Sequence, residues 1–586
     1  MKIIGISGLE NSMQFKQAHF PGLDAREYRI AQGMDAAAAL VIDGKLVAAA
    51  EQERFSGKKH TGDFPVDAIL FCLSEAGIGL DEIDEIAHGF DYAPYRGLFQ
   101  QEETSKELYD RVFSKEALLK QVARDLPGFP LEKVHQVGHH LAHAASAAFT
   151  SGWDECLVMV NDAMGETESL SVYDFHDGQL ERLRTIGAND SIGVLYSLVT
   201  LHLGFDFNSD EYKIMGLAPY GDAARFRGFF EKAVELCPDG TIRIPMLKLN
   251  RTREERENYS ASRAYLDEHL IPRRAPEQSV NATHEDVAAA LQECLERVVM
   301  HVSAHFARET GLRNLALAGG VALNCTANGK LVRSGLFDEV YVQPVAGDDG
   351  VALGAALYRT SLHQPISHDR FPVPLFGPKY EPSDMVAALH RFTGRIQWKR
   401  YDSLQATCAC AARLIAEGRV LAWYRGRMEY GPRALGNRSI LADPGHPEMR
   451  DRINAMVKKR EAFRPFAPAC AAEEAHRWFE VAEGAQFPYM ISIVQVRPAM
   501  RSLLPAITHV NGSARLQTVS HADNPEFHAL LQAVGGTTGR KMVLNTSFNV
   551  KGQPIVNTPE EAIETFLGTG IEHLFLENFH VTRATA

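Results

Sequence analysis

Three histidines, His135, His139 and His143, stand four residues apart in VHQVGHHLAHAASAAFTS. On a helix that spacing projects the rings from one face, and His-x3-His is a common way to offer two imidazoles to one metal ion. A carboxylate in a complementary place is Asp348, in GDDG between a strand and a small-residue helix. Two imidazoles and one carboxylate leave open positions for a substrate and suit Fe2+ or Zn2+, with nothing in the pattern to choose between them. The competing reading is a helix surface whose histidines bond to their neighbours. A second set is cationic: Arg425, Arg427, Arg433 and Arg438 in RGRMEYGPRALGNRSILADP, then Lys458, Lys459, Arg460 and Arg464 in KKREAFRPFAP. These cations sit among Gly, Pro and Phe rather than in a solvated polar run. That context points to a compact, multiply charged anion, because guanidinium forks match phosphate oxygens. Near the end, LNTSFN closes a strand with Ser547 and Asn549 on one side, neutral donors suited to a carbonyl, an amide or a phosphate.

The elements that must position these groups read as α/β throughout. A strand from Ile3 to Ile6 is followed by AAAALVID, the turn Asp43-Gly44 and KLVAAAE; later come ECLVMVND, GETESLSVYDF, the turn Asp177-Gly178 and QLERLRTIG. Strand, acidic turn and hairpin therefore occur twice, which suits two related subdomains. The order resembles the duplicated core of the actin, sugar-kinase and Hsp70 superfamily, in which a nucleotide binds between the halves. A long amphipathic helix is expected from about His284 to Gly311, opened by Thr283 with Asp286 three residues on. After it, the strand NLALA runs into Gly319-Gly320 and a helix, bringing backbone N–H groups and a positive dipole end toward an anion. The strand EVYVQP, a loop and the helix VALGAALYR repeat the idea. A proline-rich stretch, residues 361–382, reads as a linker between a first domain (1–360) and a second α/β domain (383–586). In the second domain a helix is expected from Glu448 to Val457, and PEEAIETFLG forms another with Thr558 as N-cap and Glu561 at the capping-box position.

At 586 residues, 45% of them hydrophobic, the chain is long enough for several cores. Its formal net charge of −13 repels polyanions, which argues against a nucleic-acid partner. No apolar run approaches membrane-spanning length, and the opening MKIIGISG reads as a strand rather than a signal peptide. The eight cysteines lie in apolar or small-residue context, without zinc-site pairing, as buried thiols of a cytoplasmic protein do.

The motifs AAAEQERFSGKKH, FNSDEYKIMGLAPYG, LAGGVALN, GRMEYGPRALGNRSILADP, KKREAFRPFAP, RLQTVS and VLNTSFNVKGQPIV occur in this order. Together they closely resemble the O-carbamoyltransferases of antibiotic and nodulation-factor biosynthesis, over nearly the whole chain. The resemblance implies an N-terminal domain like the tRNA threonylcarbamoyl-transfer enzyme (TsaD-like, with an actin/Hsp70-like fold) and a YrdC-like C-terminal domain. The second would make carbamoyl adenylate from carbamoyl phosphate and ATP with Mg2+; the first would pass the carbamoyl group to a hydroxyl of a small acceptor. It implies His139, His143 and Asp348 as metal ligands, and Gly165, Glu166, Gly319, Gly320, Asn324 and Arg433 at nucleotide. Carbamoyl phosphate would be held by Arg433, Lys458, Arg460, Arg464, Arg515, Ser547 and Asn549, with Lys458 and Arg464 also catalytic. Lys458-x-Arg460 and Ser547-x-Asn549 look like the paired motifs of YrdC proteins. One departure stands out. The family usually carries His-Asp or His-x-Asp soon after the first strand; here residues 8–33 form an insertion and Met34 precedes Asp35. Asp35 and His19 are the candidates for the acceptor-side base. A homodimer stays open, and two rivals stand beside this reading: a tRNA threonylcarbamoyladenosine-type modification enzyme and a nonenzymatic ATP-switched module.

Overall fold

The computed structural model describes residues 1–367, 369–458 and 461–584. The chain divides into two compact units: Met1–Gln52 with His60–Phe371, and Glu53–Lys59 with Pro372–Ala586. Composition gives no hint that ERFSGKK, residues 53–59, belongs with the second unit.

The first unit is built on two five-stranded sheets. In the first sheet, β1 (Lys2–Ile6), β2 (Ala37–Ile42), β3 (Lys45–Glu51), β4 (Glu85–His88) and β5 (Val134–Gln136) lie in the order β3-β2-β1-β4-β5. The second sheet contains β6 (Glu155–Asn161), β7 (Glu168–His176), β8 (Gln179–Gly187), β9 (Asn314–Ala318) and β10 (Glu339–Val342), in the order β8-β7-β6-β9-β10. Each sheet has an antiparallel three-strand meander with two parallel strands added on the far side of its first strand. One topology used twice is the duplicated actin-like fold. Both hairpin turns take the left-handed pair expected of Asp-Gly: φ is 50° and 80° at Asp43-Gly44, 48° and 74° at Asp177-Gly178.

Five helices matter for the site: α1 (Ser12–His19), α2 (His139–Ala148), α3 (Ala282–Thr310), α4 (Cys325–Ser334) and α5 (Asp348–Ser361). Apart from Leu141 the α2 sequence HHLAHAASAA is small or aromatic, and nine of its ten residues are buried. Close packing fixes α5. A Cβ at Gly5 of β1 would lie 1.8 Å from the Ala352 carbonyl, and one at Gly354 would lie 1.8 Å from the Ala142 carbonyl of α2. These two glycines let α5 lie directly on β1 and α2, which brings the first residue of α5 to the first turns of α2. Two expectations are corrected. His135 is on β5 rather than α2, because the chain continues the sheet through Val137 before Gly138 opens the helix; its Nε2 lies 3.8 Å from Glu85. The N-cap of α3 is Asn281 rather than Thr283, its side chain accepting from Thr283 N (3.0 Å) and His284 N (3.3 Å).

The second unit holds an eight-stranded mixed sheet. Its strands are β11 (Ile396–Arg400), β12 (Leu421–Tyr424), β13 (Arg438–Ala442), β14 (Ala467–Ala471), β17 (Gln517–Val519), β18 (Met542–Ser547), β19 (His573–Leu576) and β20 (Phe579–Arg583), with the short pair β15 (Ile493–Gln495) and β16 (Ser513–Arg515) beside it. The order is β11-β20-β19-β12-β13-β18-β14-β17. Strand β12, LAWY, shows why both faces are covered: Ala422 and Tyr424 enter one core with Leu544 and Leu574, while Leu421 and Trp423 enter another with Ile415, Leu531 and Phe575. The final helix, Pro559–Leu567, has its Thr558–Glu561 capping box in place. The helix expected at 448–457 is a short α-helix, Met449–Ile453, running into a wider turn over Asn454–Lys458.

Candidate functional site

Where α2 meets α5, four side chains converge. His139, His143, Asp162 and Asp348 each offer a ligand atom, all within 4.8 Å of one another. The two imidazoles point Nε2 at Nε2, 3.2 Å apart, and both side chains are fully buried. Asp348 Oδ1 lies 3.5 Å from His139 Nε2 and 3.8 Å from His143 Nε2; Asp162 Oδ2 lies 3.6 Å from His139 Nε2. The ring of His139 is fixed from behind by its Nδ1 on the Gly89 carbonyl (3.1 Å) and by stacking on Phe90 (4.2 Å). Donation of Nδ1–H to that carbonyl leaves Nε2 with its lone pair facing the cluster. Burial pulls the His139 pKa down, but Asp348 and Asp162 outweigh it and hold this imidazole well above its usual value. His143 is held below its usual value by burial. Burial also works against the Asp162 carboxylate, yet His139 and His143 hold its pKa far below the usual range. Two carboxylates closing on two facing ring nitrogens gather negative potential at one point, so the donor set fits a divalent cation.

The turn after β6 supports this cluster. Glu166 is buried, and its Oε1 accepts from His139 N (2.9 Å) and Asp91 N (2.7 Å), clamping the start of α2 to the end of β4. Gly165 lies flat on the rings: a Cβ there would meet His140 Cδ2 at 2.9 Å and His139 Cδ2 at 3.2 Å. The Gly319-Gly320 pair approaches β6 closely, with φ of 89° at Gly319 and 2.4 Å from its would-be Cβ to the Asn161 carbonyl. Gly320 N donates to Asp162 Oδ1 (3.1 Å). Asn324 caps α4 through Ala327 N (3.0 Å) and forms a reciprocal amide pair with Gln292. Asp162, absent from the sequence-derived ligand set, sits one residue past a strand end, where pattern alone does not tell a turn aspartate from a ligand.

The acceptor-side candidates separate. Asp35 and His60 both adopt φ of 57°, in the left-handed region, and His60 Nδ1 lies 2.7 Å from Asp35 Oδ1. Paired non-glycine residues in this region mark a strained, over-determined spot. Asp35 also lies near Asp349; burial pushes the Asp349 carboxyl well up, with Glu51, Asp35 and Asp348 adding to the effect. His19 is engaged elsewhere, with Nδ1 on Phe15 O (2.9 Å) and Nε2 on Glu107 Oε2 (3.1 Å). The inserted segment is a closed excursion, pinned at its base by Leu9 N on Gly33 O (2.9 Å). Gln32 donates to the carbonyls of Met164 (3.3 Å) and Gly165 and accepts from Tyr92 Oη, which ties the insertion to the turn beside the cluster. Lys16 holds the other end, donating to Ile30 O (2.6 Å) and Glu257 O (2.5 Å).

In the second unit the cations sort themselves. Arg438 is fully buried, its guanidinium over the Tyr424 ring (3.6 Å), with Nη1 on the carbonyls of Arg425 (3.0 Å) and Gly426 (3.1 Å). Arg425 pairs with Glu526 (3.2 Å) and Glu577 (3.5 Å), and Arg427 donates to the Phe376 carbonyl (2.7 Å). These three hold the loop rather than standing ready for an anion. Arg433 is half-buried on the same loop, Arg464 is half-buried with Nη1 3.4 Å from Glu461, and Arg515 is half-buried at the end of β16. Ser547 Oγ donates to Asn549 Oδ1 (2.7 Å), so the Ser-x-Asn pair does face one way. Lys458 ends the widened turn after Ile453; Arg460 lies outside the described residues.

The molecule is thus an α/β protein with a duplicated actin-like unit, an imidazole–carboxylate cluster in that unit, and a second unit carrying a loop of arginines. A carbamoyltransferase N-terminal family model matches residues 30–357 and a carbamoyltransferase C-terminal model matches residues 412–583. The chain belongs to the carbamoyltransferase family and is an enzyme that transfers carbamoyl groups. It is 39% identical to nodulation protein NolNO of Sinorhizobium fredii over 557 residues, 94% of this chain and 79% of that protein. It is 41% identical to nodulation protein NolO of Bradyrhizobium diazoefficiens over 77% of this chain and 79% of that protein. The 3'-hydroxymethylcephem-O-carbamoyltransferase of Streptomyces clavuligerus is 32% identical over 61% of each chain.

Proposed function

We propose that this enzyme transfers the carbamoyl group of carbamoyl phosphate, through an ATP-dependent carbamoyl adenylate, to a hydroxyl of a small-molecule natural product. The observation that carries the reading is the convergence of the buried His139, His143 and Asp162 with the half-buried Asp348 in an enzyme whose family moves carbamoyl groups. Two relatives are nodulation proteins and a third is named for carbamoylating a hydroxymethylcephem, which supports a hydroxylated natural product as acceptor.

Carbamoyl phosphate has a carbonyl deactivated by its amide nitrogen, so an alcohol attacks it slowly; exchange of phosphate for AMP gives the enzyme an adenosine handle with which to orient that carbonyl. The second unit, from about residue 383 onward, is the proposed YrdC-like adenylate-forming part, with Arg433, Lys458, Arg460, Arg464, Arg515, Ser547 and Asn549 as the donor-binding set. The first unit, with 1–360 as its core, is the proposed TsaD-like transfer part. There Gly165, Gly319, Gly320 and Asn324 border the nucleotide, and Glu166 holds the His139 end of α2 in place. His139, His143 and Asp348 would hold Fe2+ or Zn2+, with Asp162 as a second carboxylate at hand; bound there, the ion would act as a Lewis acid on the carbamoyl carbonyl. On the acceptor side Asp35 orients His60, which takes the proton of the attacking hydroxyl. Eight free cysteines suit a cytoplasmic setting, and no helix among the described residues is long and apolar enough to cross a membrane.

The test supplies the purified enzyme with carbamoyl phosphate, ATP and Mg2+. Pyrophosphate release that depends on carbamoyl phosphate, and a carbamoylated product from a hydroxylated acceptor by mass spectrometry, are expected. Pyrophosphate release that requires threonine and bicarbonate instead would overturn the reading.

A further inference from the structure

We infer that a buried amide network, Glu429–Gln517–Asn545, is the positioning device of the carbamoyl-phosphate pocket; this rests on the proposed role of Arg433, Arg515, Ser547 and Asn549. All three network side chains are at most 2% exposed. Glu429 Oε1 gathers three backbone N–H groups of one loop, those of Leu435 (2.6 Å), Asn437 (2.9 Å) and Arg438 (3.3 Å). Gln517 Nε2 donates to the Leu435 carbonyl (2.8 Å), and its Oε1 accepts from Asn545 Nδ2 (2.9 Å). Asn545 Nδ2 also reaches the Ala434 carbonyl (3.3 Å). The two amides meet across β14, whose Ala467 and Ala469 stand opposite Asn545 and Gln517 and are small enough to leave room.

The placement of these residues is what makes the network more than satisfied core polarity. Arg433 immediately precedes Ala434, Arg515 is two residues before Gln517, and Ser547 is two residues after Asn545 on the same face of β18. Ala434, Gln517 and Asn545 thus each lie one or two residues from a member of the donor-binding set, on three different segments, and Glu429 holds the first of these segments through Leu435 N. The hydrogen bonds fix the spacing of three segments that otherwise share no covalent proximity. A phosphate-sized ligand needs its donors set to a fraction of an ångström, and a rigid supporting layer supplies that without touching the ligand.

The test measures steady-state pyrophosphate release for Gln517→Glu, Asn545→Ala and the Gln517→Ala/Asn545→Ala double variant, with Arg433→Ala as the direct-contact reference. Gln517→Glu keeps the side chain's size but loses the donor to Leu435 O, so it carries the test if Asn545→Ala folds poorly. The KM for carbamoyl phosphate should rise about tenfold or more in each, and KM for ATP should stay within about twofold. The double variant should be no worse than the worse single one, because the residues act as a unit. Transfer from synthetic carbamoyl adenylate should match the wild type. If Arg433→Ala leaves the carbamoyl-phosphate KM unchanged, the pocket reading fails and the inference goes with it. If Arg433→Ala raises that KM while folded Gln517→Glu does not, or raises both KM values alike, the network is structural only.

Discussion

The two halves of the first unit share a sheet topology and differ in the segment that leaves the first strand. After β6 the chain turns back over residues 162–167, and its first residue, Asp162, joins two imidazoles and Asp348. After β1 the return takes residues 7–36, including α1, and ends at Asp35 bonded to His60. The same scaffold therefore carries a tight charge cluster, buried except at Asp348, on one half and a long closed excursion with a half-exposed acid–imidazole pair on the other. A short turn fixes ligand geometry; a long one can be enlarged or reshaped without disturbing the sheet, because its ends are pinned together at Leu9 and Gly33. In the proposed mechanism the fixed-geometry chemistry of the donor would sit on the first kind of turn and acceptor choice on the second.

The largest effect that would sharpen this contrast is at the short turn's cluster. His143→Ala should lose bound metal and reduce transfer by about a thousandfold or more while the protein stays folded, since it removes one ligand of an open site. Full metal occupancy of the purified variant would break the assignment. Asp35→Asn should come next, lowering transfer by about a hundred- to a thousandfold at unchanged metal content, as expected for loss of the group that orients a general base. Metal analysis beside product formation separates the two. A smaller effect is expected at the contact surface of the short turn: Gly165→Ala drives a methyl against His139 and His140 and should weaken metal binding about 10–100-fold, read by titration with a chelator.

The smallest effect concerns the long turn. Burial lowers the Lys16 pKa from 10.5 to about 8, against the attraction of Glu257 and Glu27, while Arg253 and Arg263 stand on the same elements. The folded form holds fewer protons there than the unfolded chain between about pH 8 and 10.5, so this residue's contribution to stability rises as pH increases through that window. Relative to Lys16→Met, the wild type should gain about 1 kcal/mol between pH 8 and 9, measured by chemical denaturation at each pH. A pH-independent difference would remove Lys16 as the buried charge of the insertion.

Much of this architecture is legible in the sequence because its signals are local. The Asp-Gly turns, the period of the strands and the Thr558–Glu561 box each depend on adjacent residues, and each is where it is expected. That His139, His143 and Asp348 come together is also legible by pattern, since helical spacing and a helix start are local features. Asp162, His60 and the true roles of Arg425, Arg427 and Arg438 are not, because they depend on which distant carbonyls and carboxylates come near. An arginine in a glycine-rich loop looks the same in sequence whether it awaits a phosphate or, like Arg438, is buried on Tyr424 with backbone carbonyls around it. His135 misleads for the opposite reason: its spacing is helical but Gly138 starts the helix later.

The two-site assignment is tested most directly by giving synthetic carbamoyl adenylate and one hydroxylated acceptor to Arg433→Ala and His143→Ala and reading carbamoylated product by mass spectrometry. Arg433→Ala should form product from this donor at near wild-type rate although it releases little pyrophosphate from carbamoyl phosphate and ATP, a deficit of about thirty- to a thousandfold for one charge-assisted phosphate contact. His143→Ala should release pyrophosphate and form no product. Failure of folded Arg433→Ala on the synthetic donor, or normal transfer by His143→Ala, would contradict the division of the reaction between the two units.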